Sequence, residues 1–286
     1  MSESRTRRSE GGITSVLSVA LCAVLAWPAA VAAQGRYTPA QEAQFHRAAT
    51  RAVAHGAHDE ARELADTRGS ADPSAAALLA RLDVLGGDYA AAESRLAPIA
   101  ASHPLSTAGL ELALLQHYLG RGDEATPRLT LLVDRLQRSL DPLDLYRGAL
   151  AARALGESRL ANSLVRNAAL GIPDDPAIQT LWGDIFGDTY EWGEASRSFN
   201  DVLALDDQWA PAHLGMSRAL VDTNPPAARA AAERALEIDP DYLDAHLFLA
   251  QLDLDDSDPT EASASLDRAL DINDQSLEAR ALVAAV

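Results

Sequence analysis

Arg234-Ala235-Leu236-Glu237-Ile238-Asp239-Pro240 is answered 34 residues later by Arg268-Ala269-Leu270-Asp271-Ile272-Asn273. A helix-compatible run that ends in Asp or Asn, breaks, and returns at a fixed interval is the mark of a repeated helical unit. Working outward, alanines Ala61, Ala92, Ala125, Ala161, Ala195, Ala228 and Ala262 stand 31, 33, 36, 34, 33 and 34 residues apart. Alanine is common in this chain, so two further columns carry the argument. Twelve residues after the anchors stand Pro73, Pro104, Pro173 and Pro240, with Gln137, Asp207 and Asp274 in the other units. Proline ends the preceding helix, because it lacks the N–H and its ring clashes with the turn behind it. In the third unit the helix is expected to run on to Asp141-Pro142.

Twelve residues before the anchors stand Ala49, Ala80, Ala113, Ala149, Gly183, Met216 and Ala250. Six of the seven are small, as a close crossing of two helices requires. A one-residue deletion in the sixth unit would bring Gly215 into the column. Between the columns lie turn residues such as His55-Gly56, Gly86-Gly87-Asp88, Gly120-Arg121-Gly122-Asp123 and Leu155-Gly156. Glycine there ends one helix, and Asp or Asn starts the next. Each unit therefore reads as helix, turn, helix, break, giving about fourteen helices and no sheet.

The pattern resembles the tetratricopeptide (TPR) family, W-x2-L-G-x2-Y, then A-x3-F, then P. Trp182-Gly183-x-x-Phe186 and Ala195-x-x-x-Phe199 match it best, and Arg234 to Pro240 resembles the family's unit ending. The family's tryptophan column is replaced by Phe45, Ala76, Gly109, Leu145, Gln179 and His246. The resemblance implies an all-α, right-handed superhelical solenoid over residues 41–286, with about seven repeats and a half repeat at the C-terminus. It also implies a concave groove lined by first helices. In that register the groove residues are Leu110, Leu114, His117, Tyr146, Arg147, Leu150, Arg153, Trp209, His213, Leu247, Phe248 and Gln251. Aromatic and arginine side chains are frequent interface anchors. The chain has no lysine, so the lysine-rich clamp by which some TPR domains hold chaperone C-termini is not expected.

Residues 1–12 hold Arg5, Arg7 and Arg8, residues 13–27 are almost wholly apolar, and Ala30-Val31-Ala32 is a small-x-small cleavage site. This is the layout of a secretory signal peptide. The expected organisation is a signal peptide over 1–33, a linker over 34–40 and the repeats from 41. The apolar run is short for a spanning helix of about 20 residues. Cleavage and release to the periplasm or exterior are therefore favoured over an uncleaved anchor, and stable membrane insertion after cleavage is not expected. Cys22, the single cysteine, falls inside this segment behind Leu21, which is too large for a lipoprotein signal.

The net charge is −18, a surface that repels phosphate backbones and anionic lipids. Nucleic acid is excluded as the expected partner. No catalytic motif appears, and no cofactor is expected. His55, His58 and Asp59 read as a solvated turn, and Asp253, Asp255, Asp256 and Asp258 as caps; neither set has metal-site spacing. The expected function is an exported scaffold that binds a protein or peptide. The alternative is the non-catalytic N-terminal arm of a larger exported enzyme, because Ser276 to Ala285 resembles the TPR arm of gluzincin-type zinc peptidases. The last residues, Leu277 to Val286, match the opening of the seventh unit in phase, and Ala281 to Val286 are wholly apolar. A repeat array needs a polar outer face at its end, so the chain is expected to continue or to self-associate there.

Overall fold

The computed structural model describes residues 37–285. The segment read as a signal peptide lies outside them. Fifteen helices and no strand occur among the described residues. In order they are α1 Pro39–Ala54, α2 His58–Arg68, α3 Pro73–Leu85, α4 Tyr89–Ser102, α5 Thr107–Tyr118, α6 Gly122–Leu136, α7 Pro142–Ala154 and α8 Ser158–Gly171. There follow α9 Pro176–Asp188, α10 Trp192–Leu205, α11 Ala210–Leu220, α12 Pro225–Ile238, α13 Leu243–Asp255, α14 Pro259–Ile272 and α15 Leu277–Val283. Consecutive pairs from α1/α2 to α13/α14 form repeats 1 to 7, and α15 is the half repeat.

The boundary between two compact units falls between Glu42 and Ala43. On its N-terminal side Thr38 and Gln41 cap each other: the Gln41 amide donates to Thr38 Oγ1 at 3.3 Å, and the Thr38 amide to Gln41 Oε1 at 2.8 Å. This is the capping-box exchange that starts a helix.

Within 43–286 all seven anchor alanines have 0% exposure. Each stands where a second helix meets the first helix of its own hairpin, and a methyl is all the space admits. The sixth unit confirms the shifted register. A Cβ placed on Gly183 or Gly215 would stand 2.6 or 2.4 Å from the Phe199 ring, so Phe199 is seated between these two glycines and Met216 is not in the column.

The turn inside each hairpin follows a second rule. Positive φ occurs at Gly56, Gly87, Gly120, Gly156, Tyr190 and Ser257, each five residues before an anchor. This left-handed residue closes the first helix. Repeat 6 replaces the device with Asn224, which accepts from the Ala227 amide at 3.3 Å and starts α12 at Pro225. Tyr190 is 80% exposed at φ 62°, and the strain of that conformation is offset only in part by its ring meeting Trp192 edge-on at 5.9 Å. Tyr190→Gly is expected to stabilise by about 0.5–1 kcal/mol, because the left-handed region is unfavourable for residues with a Cβ. Chemical denaturation should show a raised midpoint, and Gly156→Ala should move it the other way.

Two sequence expectations are corrected. The second helix of repeat 3 does not run on to Asp141-Pro142; α6 stops at Leu136, and Asp141 caps α7 by accepting from the Leu143 amide at 2.8 Å. Pro73 does not follow a helix end as Pro104, Pro173 and Pro240 do. It is the first residue of α3, behind its N-cap Asp72, where a missing N–H costs nothing.

Candidate functional site

The residues expected to line a groove sit on the first helices of the repeats, except Trp209, which stands just before α11, and the structure sorts them into three groups. Leu110 is core, at 1% exposure, and Leu114 packs half-buried against the same cluster. His117 is exposed. Arg147 is tied to Asp144 one turn away, and His213 Nε2 lies 2.9 Å from the Asp207 carbonyl.

A second group converges. Tyr146, Leu150, Arg153 and Trp209 border a cavity of about 170 Å³, whose other wall includes Thr50, Val53 and Ala54 of α1. This side of repeats 4 to 6 is therefore covered by the chain's own first repeat. Tyr146 meets the His46 ring edge-on at 5.3 Å, and burial pushes its hydroxyl up to about 12. Trp209 is 3% exposed and packs with Ala54, its indole edge-on to His55 at 6.4 Å. Arg153 crosses to the next repeat, with Nε donating to Asp188 Oδ2 at 2.6 Å and Nη1 to Asp184 Oδ2 at 3.0 Å. Burial nonetheless holds the Asp184 carboxyl above its usual range.

The third group, Leu247, Phe248 and Gln251, borders a larger cavity of about 640 Å³, shared with Val84, Leu85 and Tyr89 of repeat 2. One wall is a hydrogen-bonded chain. Asn273 Nδ2 donates to Tyr89 Oη at 3.0 Å, Tyr89 Oη donates to Tyr118 Oη at 3.4 Å, and Tyr118 Oη donates to Glu278 Oε2 at 2.8 Å.

These approaches depend on residues the sequence reading passed over. Asp206, Asp239 and Asn273 each stand eleven residues after an anchor, at the mouth of an inter-repeat loop. Each accepts from the amide two residues on, at 3.0 to 3.1 Å, which shapes the loop as an Asx-turn. The remaining side-chain atom of each faces repeats 1 and 2. Asp206 Oδ2 lies 2.9 Å from His55 Nε2, and Asp239 Oδ2 lies 3.9 Å from His58 Nε2. The approach is so close that a Cβ on Gly56 or Gly87 would stand 2.8 or 2.5 Å from Asp239 or Asn273. His55 and His58 are thus not a solvated turn. Asp253 is 5% exposed and pairs with Arg229 at 2.7 Å, while Asp258 caps α14. Among the described residues, no group of three or more His, Cys, Asp or Glu side chains is placed to hold a metal ion. No helix among them is long and apolar enough to cross a membrane.

Asp175 is the third acid of these inter-repeat loops and has 0% exposure. It caps α9, accepting from the Ala177 and Ile178 amides at 3.0 and 3.2 Å. Burial pushes its carboxyl up, but the nearby His46 ring and those amides outweigh it and hold the group below its ordinary 3.8. A depressed folded value means a stabilising contribution that is present above pH 3.8 and lost as the pH falls through the folded value. Asp175→Ala is expected to cost about 0.5–2 kcal/mol near neutral pH, as a lost cap does. Melting curves of wild type and variant should converge in acid; a gap that stays constant with pH would contradict this.

Residues 222–286 match the tetratricopeptide repeat family model. No curated protein matches the chain at a significant level. Among solved structures, a thermophilic TPR protein of Thermus thermophilus is 23% identical with a TM-score of 0.55, over 64% of this chain and 97% of that one. The APC/C hetero-tetramer Cut9–Hcn1 is 17% identical with a TM-score of 0.52, over 86% of this chain and 48% of that one. The human IFIT1 dimer with PPP-AAAA is 15% identical with a TM-score of 0.59, over 81% and 58%. At these identities the likeness is one of fold. The family match identifies residues 222–286 as tetratricopeptide repeats, and hairpins paired at a period near 34 with buried alanine anchors carry the same fold through the rest of the described residues.

Proposed function

We propose that the chain is an exported scaffold that binds a protein or peptide partner and performs no chemistry of its own. What supports this reading is the stack of helical hairpins itself, an architecture whose exposed first-helix side chains can serve as a binding surface. Such a surface recognises extended or helical polypeptide. The same fold serves a hetero-tetramer in Cut9–Hcn1. The net charge of −18 and the absence of lysine weigh against a phosphate-rich ligand such as the PPP-AAAA found with IFIT1. Export rests on the arginine-led, apolar, Ala-x-Ala start of the sequence.

The test is affinity capture from the cell envelope with the chain beginning at Gln34. A polypeptide retained at near-stoichiometric level, and lost when Leu150 and Arg153 are changed to Asp, is the expected result. Retention of nucleic acid instead, or of nothing, would refute the reading. Export is checked separately by fractionation: the processed protein should be about 33 residues shorter than the precursor.

A further inference from the structure

Repeats 1 and 2 both reach the loops of later repeats, but the two contacts are chemically unequal. Repeat 2 is held by a satisfied network, with Asn273 Nδ2 donating to the Val84 carbonyl at 3.3 Å as well as to Tyr89. Repeat 1 is held badly. Six buried side-chain atoms among the described residues lack a hydrogen-bond partner, and four of them line this one contact: His46 Nε2, His58 Nε2, Asp175 Oδ2 and Trp209 Nε1. His46 and Asp175 face each other at 3.7 Å, and His58 and Asp239 at 3.9 Å, both beyond hydrogen-bond length. Only His55 and Asp206 meet properly, at 2.9 Å. A buried polar atom that gave up water for an electrostatic contact longer than a hydrogen bond is held less firmly than one that is hydrogen-bonded. The apolar stacking between neighbouring repeats carries no such defect at its anchors. The contact of repeat 1 with the groove is therefore the place where the array opens most easily.

What fills the groove also defines its shape and charge. The occupying face of α1 is small, with Thr50, Val53 and Ala54 against Tyr146 and Trp209. Around it stand three acids, Asp175, Asp206 and Asp239, from the loops after repeats 4, 5 and 6. Opposite them the chain offers histidines on short stems and Arg51, which reaches Asp206 at 3.5 Å. A longer cationic side chain would close the 3.7 and 3.9 Å gaps that His46 and His58 leave.

We propose that repeat 1 is a displaceable occupant of the groove formed by repeats 4 to 6, and that the groove's external partner is a basic amphipathic helix that takes the place of α1. The helix presents small residues to Tyr146 and Trp209 and places Lys or Arg against Asp175, Asp206 and Asp239. This rests on the reading of the chain as a polypeptide-binding scaffold and names the class of polypeptide. The net charge of −18 favours the approach of such a segment over a neutral or acidic one.

Hydrogen exchange on the full chain tests the displacement. Amides of residues 46–54 are expected to exchange at least tenfold faster than those of α9 and α10, and equal protection would overturn the proposal. The partner class is tested with a labelled peptide of Ala43–His58, which contains Arg47 and Arg51 and no acid. It should bind the His55→Ala/His58→Ala protein at least tenfold more tightly than the wild type, where the tethered α1 competes. The same peptide with Arg47→Glu and Arg51→Glu should not bind. Equal binding of both peptides, or no gain in the variant, overturns the assignment. Should the variant fold poorly, the exchange measurement on the wild type still decides. These outcomes are independent of envelope capture: a failed capture with fast α1 exchange removes the scaffold reading and leaves the displaceable contact standing.

Discussion

Phe199→Ala is expected to destabilise the protein by about 3–5 kcal/mol, the usual cost of removing a buried phenylalanine. Phe199 is 2% exposed, four residues after the anchor Ala195. Its ring fills the space left by two missing side chains, with the Gly183 and Gly215 positions 2.6 and 2.4 Å away if a Cβ were present. Those helices, α9 and α11, belong to different repeats, so one ring joins repeat 5 internally and repeat 5 to repeat 6. Glycine cannot move in to replace what is lost, and a cavity remains. In a stack where each hairpin touches mainly its neighbours, stability is a sum of hairpin and interface contributions. Weakening one interface should divide the array. Denaturant unfolding should separate into two transitions, with hydrogen exchange accelerating first over 192–220. A single transition moved by less than 1 kcal/mol would mean the neighbouring side chains collapse into the gap, contrary to the glycine geometry.

The repeats were legible in the sequence because their constraints are local and recur. A second helix can cross the first closely only over a small residue, so Ala49, Ala80, Ala113 and their successors form a column that spacing exposes. Even the one-residue slip in repeat 6 showed itself, as Gly215 beside Met216. Two turn residues were not legible. Tyr190 and Ser257 hold the left-handed position that glycine holds elsewhere, because the hairpin geometry imposes the conformation whatever residue stands there. The expected binding face was legible only as a strip of positions. Leu110 belongs to that strip in phase, yet packs inside the core, and Trp209 lies in an inter-repeat loop just before α11 rather than on the helix. What covers those positions was not legible at all. His55 meets Asp206 across 151 residues, and Asn273 meets Tyr89 across 184. A contact made once leaves no periodic trace. The column of Asp206, Asp239 and Asn273 was there to be read, but its Asx-turn role explains the residue types fully and hides the second task.

The same nearest-neighbour argument makes the response to overpacking depend on position. Ala195→Leu adds three carbons at a site with 0% exposure, between α10 and the first helix of its hairpin. Overpacking a well-filled contact costs about 1–3 kcal/mol, through shifted backbone and side chains forced off their preferred rotamers. Repeat 5 has full neighbours on both sides, so neither helix can yield without disturbing a second interface. Ala262 has the same 0% exposure and the same role in repeat 7. On its far side, among the described residues, packs α15, seven residues long, whose Leu277 and Val283 are 50% and 46% exposed. A hairpin packed on that side by a short, half-exposed helix yields there more readily than one packed by a full hairpin. Ala195→Leu is therefore expected at the upper part of the range and Ala262→Leu at the lower, although burial ranks the two sites as equal. Urea midpoints for the pair, measured with the m-value to confirm that both unfold from comparable states, make the comparison. Equal losses would mean that α15 and whatever packs on it hold repeat 7 as firmly as a full hairpin does. A larger loss at Ala262 would reverse the order and show that the stability of the array is not set by neighbour count.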